Sequence, residues 1–214
     1  MTHTEQIERG MKRVTLQDAL DAKPCWLYDP DGREKIEELF AGRESLSAHD
    51  IAALPITHHE KVWALTRPIF LSTRKAVRAA IELAEQVVHI YESRHPGDER
   101  PRRACIVARK RIDKPSAVRA VEYKIACTDA LLVAIKSPLW STDESVALAA
   151  LYAAEAAMKY APRGRLKDRP VKQSMAREDA VIAIRYAMYA ARSAMHNAQI
   201  DYLLQLIEED EGEP

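Results

Sequence analysis

Glu92-Ser93-Arg94-His95 has the spacing with which one helix offers a carboxylate and an imidazole to the same metal ion. A di-iron bundle needs that spacing on two helices, plus a carboxylate from each of two more. The second copy is missing. His196 has no glutamate three residues before it, and Glu85 and His89 stand four apart, as a surface pair does. His95 also precedes Pro96, a context that disfavours helix, so the motif falls at a helix end. His58-His59-Glu60 offers two imidazoles, but neighbours on a helix point about 100° apart and do not converge on one site. Thr57 with Glu60 three residues later is better read as a capping box. Cys105 stands near Arg102, Arg103 and Arg109, which would activate an exposed thiol. Its flanks, Ala104 and Ile106-Val107-Ala108, are those of a buried helix face. No Gly-x-Ser-x-Gly elbow, P-loop or dinucleotide-binding glycine pattern is present. The reading is of a non-catalytic protein with no metal and no cofactor.

Two groups of charges remain. Arg163, Arg165, Lys167, Arg169 and Lys172 put five cations into ten positions, a set that can contact phosphates. No aromatic residue is interleaved for base stacking, and a linker between Ala-rich helices is often charged for solubility alone. The second group surrounds the turn Pro96-Gly97-Asp98-Glu99. Arg102 and Arg103 lie in the first turn of the helix that follows, where partial positive charge favours acidic residues instead. They therefore answer to partners outside their own helix. Asp129 and Glu155 lie within apolar helices, where a lone carboxylate is costly. The expectation is an ion-paired hinge in which Glu92, Asp98, Arg100, Arg102, Arg103 and Arg109 bind one another and the carboxylates of Asp129 and Glu155.

The elements that must position these groups are helices. Of the 214 residues 47% are hydrophobic and only 6% aromatic, with six glycines. No alternating pattern of a strand rivals the helical ones. Residues 1–56 read as an extension of short helices, including 4–22, 33–40 and a stretch capped by Ser47. Residues 57–214 read as the bundle domain. Its helices run from Thr57 to Arg67, from Ser72 or Thr73 to Arg94, from Pro101 to Arg111 and from Ser116 to Pro138. Val118, Val121, Ile125, Leu131, Leu132 and Ile135 form the apolar side of the last of these. An Ala-rich helix follows to Ala161, then a loop over 162–173 and one long helix from Ser174 to Glu208. The seam Val181, Ile184, Met188, Ala191, Met195, Ala198 and Tyr202 in that helix suits a bundle core, or else a coiled-coil contact between copies. The fold class is all-α, an Ala-rich helical bundle.

Lys+Arg and Asp+Glu both number 32, so the formal charge is zero and no general attraction to nucleic acid or anionic membrane follows. Three cysteines, Cys25, Cys105 and Cys127, form no CxxC pair and read as reduced thiols. With no apolar run long enough to span a bilayer and no signal-like N-terminus, a cytoplasmic protein, monomer or homodimer, is expected.

Tyr91-Glu92, Pro96-Gly97-Asp98, Arg100-Pro101-Arg102, Ala104 and Ala108-Arg109 together resemble a family of Ala-rich helical immunity proteins. Members belong to bacterial polymorphic-toxin systems and also occur in phages. The specific likeness covers residues 91–109. After Ala-Arg the family often continues with a tryptophan-bearing helix end and glycine, whereas this chain has Lys110-Arg111-Ile112-Asp113. The resemblance implies binding in place of catalysis: inhibition of a cognate protein toxin by occlusion. Two other classes compete with it. One is a phage or mobile-element accessory protein that touches nucleic acid through the 163–172 loop; the other is a homo-oligomeric structural protein joined through the 181–206 seam.

Overall fold

The computed structural model describes residues 12–22, 24, 30–114, 120–139, 141–160, 169–191 and 193–211. Among them the chain is an all-α helical bundle with one two-stranded sheet. It divides into two compact units, Met1–Leu71 with Tyr202–Pro214, and Ser72–Asp201. The division differs from one drawn at residue 56, because the helix opened by Thr57 belongs with the N-terminal elements.

The first unit contains β1 (Arg13–Thr15), α1 (Leu16–Asp21), α2 (Gly32–Phe40), β2 (Ser45–Ser47), α3 (Ala48–Ala53) and α4 (His58–Leu65). β1 and β2 pair antiparallel, with Val14 opposite Leu46. Strands of three residues are too short to show alternation, so the helix expected over residues 4–22 is, where described, a strand and six residues of helix. Thr15, Ser47 and Thr57 each cap the next helix by accepting from the backbone N–H three residues on. Asp18, Asp50 and Glu60 return the bond to the cap's own N–H. These three boxes hold short helices that propensity alone would not sustain. Ile36, Phe40, Leu46, Ile51, Leu65 and Phe70 are buried among them.

The second unit holds α5 (Thr73–Arg94), α6 (Arg100–Asp113), α7 (Ala120–Lys136), α8 (Thr142–Tyr160), α9 (Arg169–Ala190) and the start of α10 (Ser193–Glu211). α8 packs against α5, α6, α7 and α9. Val146, Ala147, Ala149, Ala150, Ala153, Ala154, Ala156 and Ala157 are all buried, around most of its circumference. Small side chains let four backbones approach one helix, which is why a stretch this rich in alanine sits at the centre.

Three expectations need correction. The long helix from Ser174 to Glu208 is two helices, broken near residue 191, and Arg169–Gln173 is already helical. Pro170 had suggested a loop, but proline is tolerated in a first helical turn. The apolar periodicity runs on past the break, and the residues from Tyr202 onward belong to the first unit. The third correction concerns α7. Its large apolar residues, expected in the core, are exposed: Val121, Ile125, Leu131, Leu132 and Ile135, with Leu139 just beyond the helix. Ala126, Ala130, Val133 and Ala134 face inward instead. At 100° per residue the two sets occupy nearly opposite sides of the helix. The small set turns inward because it meets the alanines of α8 at close range.

Candidate binding surface

α5 and α6 form a hairpin whose turn is closed by Asp98. Its carboxylate accepts from the Tyr91 hydroxyl at 2.6 Å, from the Arg100 backbone N–H at 3.2 Å and from the Arg100 guanidinium at 2.8 and 2.5 Å. Gly97 supplies the left-handed conformation the turn requires, at φ +87°. The Arg100 guanidinium holds the Asp98 carboxyl well below the usual carboxylate range, outweighing its partial burial. Burial, with Asp98 beside it, pushes the Tyr91 hydroxyl up to about 12.

Two rungs then clamp the hairpin. Arg102 donates through two nitrogens to the Glu92 carboxylate, and Arg109 does the same to Glu85, with Glu82 at 3.7 Å. The rungs lie seven residues apart on each helix, two turns, so both project from one face. Arg103 reaches out of the hairpin to Asp129 on α7 at 3.4 Å. At the end of α5, Arg94 and His95 both contact Asp143 in the first turn of α8, at 3.1 and 2.9 Å. The arginines that looked misplaced at the start of α6 are thus each opposed by a carboxylate that their own helix does not supply.

Glu155 is a correction. It pairs with Lys159 at 3.5 Å on its own helix, not with an arginine of the turn. Lys159 also meets Asp179 of α9 at 2.5 Å. Glu155 therefore belongs to the seam between α8 and α9, which sequence position within an apolar helix does not reveal. Lys159 and Asp179 carried no signal beyond their charge. Cys105 is fully buried, and burial pushes its thiol up to about 12, the opposite of activation. Arg163, Arg165 and Lys167 lie outside the described residues, as does the side chain of Arg169; Lys172 is half-exposed in the first turns of α9.

The ion pairs consume the charged face of α6. The outer face of α7 is different. Val121, Ile125, Thr128, Leu132, Ile135 and Leu139 recur at spacings of four and three, and all are exposed. Val121 is 59%, Ile135 69% and Leu139 81% accessible. This is a heptad seam with no partner helix among the described residues. Contiguous apolar patches of this kind mark interaction sites.

Among the described residues no helix is long and apolar enough to cross a membrane, and no group of three or more His, Cys, Asp or Glu side chains could hold a metal ion. The class the fold and surface define is an all-α bundle with an open apolar helix face. No family model matches the chain, and neither a curated protein nor a solved structure is significantly similar to it.

Proposed function

We propose that this chain is a non-catalytic binding protein that inhibits a cognate protein by covering it, the immunity role implied by the resemblance of residues 91–109. The observation that carries the binding half of this reading is the exposed heptad seam on α7. The ion-paired hinge meets α7 through Arg103 and Asp129, and α7 packs its small-residue side on α6 and α8, so the seam is carried on a packed helix. Large apolar side chains at the centre of such a face supply the affinity, and the flanking charges set the partner.

The test co-expresses the chain with the product of the open reading frame beside its own gene. The parent is expected to restore growth against a toxic neighbour, and the double variant Ile125→Asp, Ile135→Asp to lose that protection. Because both positions are exposed, the variant's unfolding free energy should stay within about 0.5 kcal/mol of the parent's. Protection that survives the double variant would remove α7 from the contact, and absence of protection by the parent would remove the immunity reading.

A second reading has its own observation. α7 carries Glu122 in its first turn and Lys136 in its last. Two copies crossing antiparallel on the seam would place each Glu122 against the other copy's Lys136, an isologous arrangement. Light scattering at micromolar concentration separates the readings. A dimer that Ile125→Asp, Ile135→Asp converts to monomer assigns the seam to self-association; a parent that is already a monomer leaves it for the cognate partner.

A further inference from the structure

The first unit carries a half-open apolar cavity of about 380 Å³ that the binding role does not use. Val14, Ile36, Phe40, Leu54, Trp63 and Phe70 supply its walls. Among the described residues, four charged side chains also line it: Asp18, Asp21, Glu60 and Arg67. The three carboxylates take their hydrogen bonds from neutral groups. Asp18 and Glu60 accept from the backbone N–H and hydroxyl groups of Thr15 and Thr57 in their capping boxes. Asp21 accepts from the Gln17 amide at 2.8 Å.

Arg67 differs. Its guanidinium carbon lies 4.1 Å from the centroid of the Trp63 ring, and its Nε donates to the Trp63 carbonyl at 3.2 Å. No carboxylate stands within ion-pair distance among the described residues. Burial pulls its pKa down. A half-buried guanidinium ordinarily acquires a partner, since an unpaired buried charge is costly. Glu60, Trp63, Ala64 and Arg67 fall on one side of the chain at helical spacing, so the stacked cation stands at one end of the apolar wall.

We propose that this cavity binds a small amphipathic carboxylate, with an apolar body between the walls and its anionic head on the Arg67 guanidinium. The volume suits about a dozen non-hydrogen atoms at the ~30 Å³ each that water occupies in the liquid, and it lies within the usual range of ligand pockets. A neutral apolar ligand would desolvate Arg67 further without compensation. A carboxylate matches the planar fork of a guanidinium, and Arg67 is the one cation among the described lining residues. An alkyl chain and a flat aromatic body share this chemistry, and the probes distinguish them.

The experiment is isothermal titration calorimetry on the full chain with decanoate and with naphthalene-2-carboxylate, each beside its neutral amide. At least one acid is expected to bind with Kd below about 100 µM and its amide about ten times more weakly. Arg67→Met, close in volume and still able to pack on Trp63, should reduce the acid to the amide's affinity while leaving Tm unchanged or higher. Ala64→Phe, which fills the cavity, should abolish binding of both. Equal affinity of acid and amide, indifference to Arg67→Met in a folded variant, or no heat from either acid would each overturn the proposal. The acid and amide comparison needs only the parent protein, so it decides the matter even if a variant fails to fold.

Discussion

Replacing Lys159 with methionine is expected to lower the unfolding free energy by about 3 kcal/mol at pH 7, because it strands a buried carboxylate. At ~2–4 °C per kcal/mol for a chain of this size, Tm falls by about 6–12 °C. Asp179 is 7% exposed, and Lys159 is the cation it meets. Removing that ammonium leaves Asp179 near Glu155, a second negative charge. Even in the parent, burial raises the Asp179 pKa above its ordinary value, and Glu155 adds to the effect while Lys159 opposes it. A carboxyl raised by folding favours the native state at low pH and loses that contribution as pH rises through its folded pKa. The deficit of Lys159→Met should therefore shrink between pH 7 and pH 4, measured by urea unfolding at both. Adding Asp179→Leu should recover most of the lost stability, since an apolar pair can replace a buried ion pair. Equal deficits at the two pH values would show that Lys159 contributes by packing alone.

Asp98→Ala is expected to cost about 2 kcal/mol, the lower part of the range for hydrogen bonds to charged groups, because Arg100 is a third exposed and partly screened by solvent. The loss covers the Tyr91 hydroxyl, the Arg100 guanidinium and one backbone N–H together. Its pH dependence runs opposite to that of Asp179. Folding lowers the Asp98 pKa, so its contribution is complete above the ordinary value of 3.8 and disappears as pH falls through the folded pKa. The parent should therefore lose stability below about pH 4, and Asp98→Ala should show a flatter acid limb. A variant that tracks the parent through that range would mean that the turn holds without its carboxylate. If the hinge also frames the binding face, the same substitution should weaken partner protection less than the α7 changes do, because it loosens a support and removes no contact.

The helical class, the α5–α6 turn and the Thr57 capping box were legible because each has a local signature: period, Pro-Gly punctuation, or a hydroxyl followed by a carboxylate. The arginines of α6 were legible for a related reason, since they conflict with their own helix and so require outside partners. What sequence could not convey was choice between equals. α7 has two apolar sides, one of large residues and one of small, and burial normally favours the large. Here the alanines of α8 admit only small residues, and that preference resides in a different helix. Glu155 shows the same limit, because its partner depends on how α8 is rotated against α9. The strands at Arg13–Thr15 and Ser45–Ser47 were too short to leave a period. The Arg67 cavity draws its walls from β1 through the residues after α4, and no contiguous stretch contains it.

The alanines of α8 have a consequence for how such a protein can change. Nearly every inward position there ends at Cβ, so a larger residue must displace a neighbouring backbone and a smaller one leaves a gap. The outward residues of α7 touch no such constraint. Constraint and freedom are thus carried by adjacent helices, α8 and α7, which pack on each other. A lineage can alter that outward face one residue at a time, while the scaffold behind it stays as it was.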